Sequence, residues 1–161
     1  MTRSIRAAYP AALTGALLAS ALAVGAVTAS GGSSGRLESS MAGIPAGLTG
    51  QVLMGVQGGG LPWSLGKGEA SLAGDGRLHV EVEGLVLAAG ANAGINPIPT
   101  GVAIVACDGA VAAQSGPVPF SRAGDAEVDA TLILPSPCVA PVIFFAGATG
   151  AGPRWFAVTG F

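Results

Sequence analysis

Apolar and polar residues alternate with a period of two along much of the chain beyond Gln51. Between residues 77 and 87, apolar side chains stand at positions 78, 80 and 82, and polar ones at positions 79, 81 and 83. Residues 126–134 repeat the pattern, with apolar side chains at the even positions. Such alternation is typical of β-strands that bury one face and expose the other. The pattern therefore predicts an all-β chain.

Two turn sequences predict β-hairpins within this pattern. Gly74-Asp75-Gly76 and Asp108-Gly109 each stand between two segments of strand-like sequence. Turns of this composition supply the positive φ angles that tight hairpins need. The predicted hairpin strands are residues 68–73 with 77–87, and residues 102–107 with 110–114.

The C-terminal third predicts two further strands. Residues 139–146 are almost entirely apolar, which indicates a strand buried on both faces. Residues 154–161 predict a last strand, and we expect it to lie at an edge of the sheet. With the segments above, this makes about eight strands after Gln51, close to the number in immunoglobulin-like folds. The predicted fold is an antiparallel β-sandwich, immunoglobulin-like or similar.

The first 29 residues have a different pattern. Arg3 and Arg6 precede an apolar run over residues 11–27, and Val27-Thr28-Ala29 ends it with small residues. These features are typical of a secretory signal peptide cleaved after Ala29. We predict a signal peptide over 1–29, a flexible Gly/Ser-rich segment over 30–49 and a sandwich domain over 50–161. An uncleaved N-terminal anchor is the alternative.

Charge and composition narrow the class of partner. Without Arg3 and Arg6 the chain keeps five Lys and Arg residues against nine Asp and Glu residues, a net charge of −4. An acidic domain repels phosphate backbones, so we expect no nucleic-acid partner. No apolar run after Ala29 is long enough to span a bilayer as a helix, and no nucleotide-binding motif is readable. We therefore expect no membrane span in the mature chain and no cofactor.

The two cysteines, Cys107 and Cys138, predict one disulfide. An exported chain meets an oxidising compartment in which a lone pair of cysteines usually bonds. The alternative, a redox-active pair, needs a thiol of low pKa, typically in a Cys-x-x-Cys motif or beside a basic group. Here Asp108 follows the first cysteine and Pro137 precedes the second.

Candidate chemistry concentrates on the polar face of residues 77–87. His79, Glu81 and Glu83 share that face and are weak candidates for metal ligands, with help from Glu127 and Asp129 if their strands pair. One histidine is few for zinc, and a solvated acidic face explains the same residues.

A catalytic triad is not readable from the sequence. It would have to use His79, the only histidine, and Asp75 lies at the wrong end of the strand to orient its ring. Pairs of carboxylates offer another hydrolytic arrangement, but such glycosidases also need aromatic sugar platforms, which are scarce here. We predict that the chain is not an enzyme and that it has no catalytic residues.

The first hairpin carries a spaced set of small and apolar residues, namely Gly68, Ala70, Leu72, Gly76, Leu78, Val80, Val82, Gly84 and Leu85. This set resembles the opening hairpin of chordin-type domains, which are secreted β-sandwich modules. The His-x-His that usually follows in that family is missing after Leu85. The resemblance therefore implies a hairpin and implies no metal.

A longer resemblance covers most of the chain after residue 29. The signal peptide, the segment Val82-Glu83-Gly84-Leu85-Val86, the single cysteine pair and the closing segment Trp155-Phe156-Ala157-Val158-Thr159-Gly160-Phe161 are similar to those of small exported proteins of high-GC actinobacteria. The resemblance implies export and the sandwich fold. It implies no particular chemistry.

The long stretch between residues 88 and 101 is the remaining candidate for function. It is rich in Ala, Gly, Asn and Pro, and loops of this length are often functional, although a crossover between sheets explains it too. We predict a contact loop that includes Asn92, Asn96 and Pro97, and we expect deletion of residues 91–97 to leave folding intact.

Export without readable catalytic chemistry predicts a function in binding. We expect a secreted, non-catalytic protein that acts in or near the cell envelope by contact with another protein, a polymer or itself. The predicted contact surfaces are the 88–101 loop and an edge strand ending at Phe161. The alternatives are an exported module for a cation or small ligand and, third, an exported hydrolase that depends on His79.

Overall fold

The computed structural model describes residues 35–160, except for the side chain of Thr149. The predicted signal peptide over 1–29, residues 30–34 and Phe161 lie outside this range. The described chain is almost all β-strand, and its one helical segment is a 3-10 turn at Ala46–Leu48. It contains no helix that is long and apolar enough to cross a membrane. The prediction of an all-β antiparallel fold is confirmed.

The strands differ greatly in length, and eight of those described have five or more residues. In chain order the strands are β1 (Arg36–Gly43), β2 (Val52–Leu53), β3 (Val56–Gly58), β4 (Trp63–Ser64), β5 (Lys67–Ala73), β6 (Arg77–Glu83), β7 (Val86–Leu87), β8 (Thr100–Cys107), β9 (Ala110–Gln114), β10 (Val118–Pro119), β11 (Ala126–Thr131), β12 (Val142–Thr149) and β13 (Gly152–Thr159).

The long strands, with the two-residue β10 at one end, form one curled sheet in the order β10-β8-β12-β13-β1-β5-β6-β11, with β9 also paired to β8. β1 joins two halves of this sheet, one that contains β8, β12 and β13 and one that contains β5, β6 and β11. Its residues 36–40 pair with β5, and its residues 41–43 pair with β13. The prediction of a flexible segment over residues 30–49 is therefore wrong for β1. Its serine-rich sequence resembles a linker, but pairing with neighbours satisfies its backbone, and composition does not encode that pairing.

Both predicted hairpins are present. β5 and β6 pair around Gly74-Asp75-Gly76, and β8 and β9 pair around Asp108-Gly109. The predicted edge position of the last strand is wrong, because β13 lies between β12 and β1 and also pairs with β3. A central strand is the better place for its run of bulky apolar residues, since both faces of residues 155–158 are buried.

Aromatic side chains pack on both faces of the half of the sheet that contains β12 and β13. On one face Trp63 stacks on Phe156, with ring centroids 4.0 Å apart, while Phe120 meets Phe145 edge to face at 5.1 Å. On the other face Phe144 packs against Trp155, whose indole N–H donates to the Gln51 carbonyl at 3.3 Å. The prediction that residues 139–146 form a strand buried on both faces is confirmed for residues 143–146, which are fully buried in β12.

The predicted disulfide between Cys107 and Cys138 is present. It ties the end of β8 to the loop between β11 and β12, and the two cysteines are 31 residues apart in sequence. The backbone N–H of Asp108 also donates to the carbonyl of Val139 at 2.7 Å. This loop is therefore attached firmly to the body of the domain.

Candidate functional site

The polar face of β5, β6 and β11, here called the acidic face, brings several candidate residues together. β6 and β11 pair so that His79 lies opposite Asp129, and Glu81 lies opposite Glu127. The His79 Nδ1 atom is 2.9 Å from Asp129 Oδ1 and 4.0 Å from Glu127 Oε1. One ligand atom from each of these three residues falls within 4.8 Å of the others. The pairing of β6 with β11 therefore brings Glu127 and Asp129 next to His79, which was the condition for the predicted ligand set.

The other two predicted ligands, Glu81 and Glu83, do not belong to this group. Glu81 accepts a hydrogen bond from Lys67 Nζ at 3.0 Å, and Lys67 is also 3.6 Å from Glu69. The pKa of Lys67 is raised, first by the hydrogen bond to Glu81 and then by the charges of Glu69 and Glu81. Glu83 is exposed at the end of β6.

The His79 group is open to solvent. The side chain of His79 is 42% exposed, and those of Glu127 and Asp129 are 66% and 71% exposed. An ion there would have three protein ligands, one imidazole and two carboxylates, and water would have to complete its shell. Structural zinc sites use four protein ligands and favour Cys and His. Charge pairing on a solvated sheet explains the same arrangement.

Ser71, His79 and Asp129 lie side by side on three neighbouring strands. Asp129 contacts Nδ1 of the imidazole, as the acid of a Ser-His-Asp triad does. The sequence analysis considered Asp75 for this role and placed it at the wrong end of the strand. In the described chain, however, no hydrogen bond joins Ser71 to His79. β5 and β6 each pair on both sides, so their backbone N–H groups are used in the sheet and cannot form an oxyanion hole.

The loop over residues 88–99 is held by a buried asparagine. Asn96 is 1% exposed, and its amide donates to the carbonyls of Ile98 at 2.7 Å and Ser121 at 2.8 Å. Its side-chain oxygen accepts from the Ile98 N–H at 2.8 Å. The prediction of Asn96 as a contact residue is therefore wrong, because its polar atoms fasten the loop internally. Asn92 and Pro97 are exposed, as a contact loop requires.

An apolar surface that the sequence analysis did not single out lies at the end of the sandwich where β1 begins. We call it the apolar end and define it by Ile133, Leu134, Pro135, Pro137 and Val139. The residue Ile133 is 96% exposed and Val139 is 52% exposed. Ile133, but not Val139, lines a groove of about 810 Å³ between the loop after β11 and the start of β1.

The loop that presents Ile133 is fixed at both ends. At its start the Leu132 N–H donates to the Gly76 carbonyl at 2.8 Å, which extends the pairing of β6 with β11 by one residue. Toward its end Cys138 is bonded to Cys107, and the Val139 carbonyl accepts from Asp108. Because this loop is already ordered before any contact, binding through Ile133 would cost less conformational entropy than binding through a mobile loop.

A signal for Ile133 was present in the sequence. In the alternation over residues 126–134, position 133 shares the outward phase with Glu127, Asp129 and Thr131. A large apolar residue in the solvent phase of a strand pattern becomes a candidate for contact when other exposed apolar residues lie close to it. The inward Leu132 and Leu134 hid it, because the three together resemble a short buried run.

Comparison with known proteins adds no assignment. The chain matches no protein-family model, and no curated protein or solved structure matches it significantly. The resemblances to chordin-type hairpins and to exported actinobacterial proteins stay predictions. The functional conclusion therefore depends on the geometry described above.

Proposed function

We propose that the protein is an exported, non-catalytic β-sandwich that acts by contact in or near the cell envelope, and that the apolar end is its contact surface. The observation that carries this proposal is the 96% exposure of Ile133 on a loop fixed by a disulfide. Exposed apolar patches on otherwise polar domains mark interaction sites. The disulfide is compatible with an extracellular location.

Site-specific photo-crosslinking in the native host tests this proposal. A benzophenone amino acid replaces Ile133 in one variant and Val111 in a matched control, which is an exposed valine on β9. We expect a discrete crosslinked protein band from position 133 in the envelope fraction and none from position 111. No band from position 133, or equal bands from both, would contradict contact through the apolar end.

The non-catalytic part of the proposal has a separate test. A fluorophosphonate probe phosphonylates activated serines by losing fluoride, so the adduct appears in the intact mass. We expect no adduct on the native protein, because Ser71 lacks a hydrogen-bonded base and an oxyanion hole. An adduct that disappears in both Ser71→Ala and His79→Ala would show an exported hydrolase instead.

A second candidate function, a cation-binding module, is favoured by the three ligand atoms of His79, Glu127 and Asp129 within 4.8 Å of one another. Calorimetric titration with calcium and then with zinc tests it. Heat of binding and a rise in melting temperature that Asp129→Asn removes would support a cation site. No heat and no shift with either ion would leave the group as a set of paired surface charges.

A further inference from the structure

The chain contains two Asp-Gly pairs, and both stand in hairpin turns. Asp75-Gly76 lies between β5 and β6, and Asp108-Gly109 lies between β8 and β9. In such a pair the backbone nitrogen of glycine can attack the carboxyl carbon of the aspartate side chain, because glycine has no Cβ atom to obstruct the approach. The two other aspartates, Asp125 and Asp129, are followed by alanine. The two Asp-Gly pairs share this chemistry, so their surroundings decide which of them reacts.

The peptide group between Asp75 and Gly76 is held on several sides. The Gly76 N–H donates to the Ala73 carbonyl at 2.9 Å, and the Gly76 carbonyl accepts from Leu132 at 2.8 Å. Arg77 holds the Asp75 carboxylate, because its backbone N–H donates to Oδ1 at 3.3 Å and its Nε lies 3.1 Å from Oδ2. Attack on the carboxyl carbon requires the Gly76 nitrogen to turn toward it, which breaks the hydrogen bond to Ala73. The fold therefore opposes ring closure at this pair.

The peptide group between Asp108 and Gly109 is not held in this way. Among the described residues, the Asp108 carbonyl and the Gly109 N–H have no hydrogen-bond partner, and the Asp108 carboxylate joins no ion pair. Both residues are exposed, and a Cβ atom on Gly109 would meet nothing within 4 Å. This peptide group can therefore rotate in water without breaking a contact within the described chain.

The backbone before this peptide group directs the rotation. Cys107 is fixed by its disulfide, and the Asp108 N–H donates to the Val139 carbonyl at 2.7 Å. The freedom that remains is about the bond between Cα and the carbonyl carbon of Asp108, and rotation there carries the Gly109 nitrogen toward the side chain. Asp108 has a φ angle of +53°, in the left-handed region that residues with side chains disfavour. Its native conformation is therefore weakly protected against this change.

We propose that Asp108 is a site of isoaspartate formation in the folded protein. The Gly109 nitrogen bonds to Cγ of Asp108, and a proton from the nitrogen leaves with a hydroxyl from the carboxyl group as water, which gives a cyclic succinimide. A water molecule then opens the ring. Addition at the backbone carbonyl leaves Gly109 bonded to Cγ, as isoaspartate, whereas addition at Cγ restores aspartate. No atom is gained or lost overall, and water is the only co-reactant.

The modification changes the turn that follows the disulfide. In isoaspartate the chain runs through Cβ and Cγ, so the turn between Cys107 and Ala110 gains one backbone atom. The longer turn no longer matches the pairing of these two residues, and we expect the converted protein to melt at a lower temperature. The inference goes beyond the proposed function, because it needs neither the apolar end nor a partner.

Incubation of the purified mature protein for weeks at neutral pH, in water enriched in heavy oxygen, tests this proposal. Ring opening places one heavy oxygen atom in the product, so each turnover marks the site. After reduction, trypsin releases residues 68–77 and residues 78–122, each of which contains one aspartate. We expect the 78–122 peptide to gain label at least about tenfold faster, the factor that one hydrogen bond supplies. Fragmentation by electron transfer identifies isoaspartate at position 108 and separates it from deamidation at Asn92.

Two controls separate the effect of the fold from that of the sequence. In the unfolded, reduced chain we expect both peptides to gain label at comparable rates, because nothing then holds either peptide group. Asp108→Glu is the matched variant, since its longer side chain keeps the charge and disfavours ring closure. Its position 108 should stay unlabelled, while the 68–77 peptide should label as in the native protein. Near-UV circular dichroism of the buried tryptophans shows that the variant is folded.

Equal labelling of the two peptides in the folded protein, or faster labelling of residues 68–77, would overturn the proposal. So would a folded protein whose position 108 stays unlabelled while the unfolded chain labels fully, because the turn would then be too rigid for ring closure. None of these outcomes bears on contact through the apolar end, which the crosslinking experiment tests separately.

Discussion

The backbones of Gly76 and Leu132 lie closer together than a residue with a Cβ atom at position 76 would allow. The Leu132 N–H donates to the Gly76 carbonyl at 2.8 Å, and a Cβ atom on Gly76 would lie 2.0 Å from the Leu132 carbonyl oxygen. Gly76 also has a φ angle of +85°, which favours glycine. This contact ends the β6–β11 pairing and sets where the chain turns out to present Ile133.

Gly76→Ala should destabilise the domain by more than the strain of a positive φ angle, which is about 1–3 kcal/mol. The added methyl group must displace the Leu132 backbone, so the loop moves with it. Gly94→Ala is the control, because Gly94 has a similar φ of +82° and open space around it. Urea denaturation measures both variants, and equal losses in the free energy of unfolding would show that the Gly76–Leu132 contact is relaxed.

Asn96→Ala should cost more than about 2 kcal/mol, because it removes the hydrogen bonds that the buried Asn96 side chain makes with the Ile98 N–H and with the Ile98 and Ser121 carbonyls. Asn92→Ala, at an exposed position of the same loop, should stay within about 0.5 kcal/mol of the native protein. Thermal denaturation separates the two. For the same reason we now expect deletion of residues 91–97 to unfold the domain, in contrast to the sequence-based expectation. A soluble, cooperatively folded deletion variant would contradict the structural role of Asn96.

Replacement of both cysteines by serine should lower the free energy of unfolding by about 3.5–4 kcal/mol, as the chain-entropy model gives for a loop of this length. The double variant should also give a weaker crosslink from position 133, because the loop of the apolar end loses its attachment to β8. Urea denaturation measures the loss of stability, and photo-crosslinking measures the loss of contact. A variant that loses stability but crosslinks normally would show that Ile133 is presented without help from the disulfide.

The ammonium group of Lys67 should titrate above its ordinary pKa in the folded protein, because Glu81 and Glu69 stabilise its charged form. A raised folded pKa means that this stabilisation is fully present below the unfolded pKa and is lost as the pH rises through the folded pKa. Nuclear magnetic resonance of the Lys67 Nζ group follows the titration. Glu81→Gln should bring the midpoint down, while Glu38→Gln, at a carboxylate paired with Arg36, should not change it.

The local features of the fold were predictable from the sequence, and its long-range pairing was not. Period-two alternation and Asp-Gly turns encode strands and hairpins through residues close in sequence, so β5, β6, β8 and β9 were found. The positions of β1 and β13 depend on pairing between the two ends of the chain, for example Met41 with Thr159. No periodic pattern records such pairing.

In the candidate sites, too, features encoded by residues close in sequence were predictable, and contacts between distant residues were not. The pairing of His79 with Asp129 could be anticipated only conditionally, because the face of each strand was readable but its neighbour was not. Asn96 looked like a loop residue, and only the folded chain brings the Ser121 carbonyl to its amide. The disulfide was predictable because the chain has two cysteines, which allow one pairing, and its first 29 residues predict export.

The most direct test of the account is the intact mass, native and then denaturing, of the protein recovered from the envelope and medium of its own host. We predict a denatured mass equal to Ser30–Phe161 less two hydrogens, and a native mass that includes no small bound molecule. Together these results would support removal of the signal peptide, the disulfide and a protein that acts by contact. A single-chain native mass with a small bound molecule that is lost on denaturation would contradict the account and indicate a ligand-binding module.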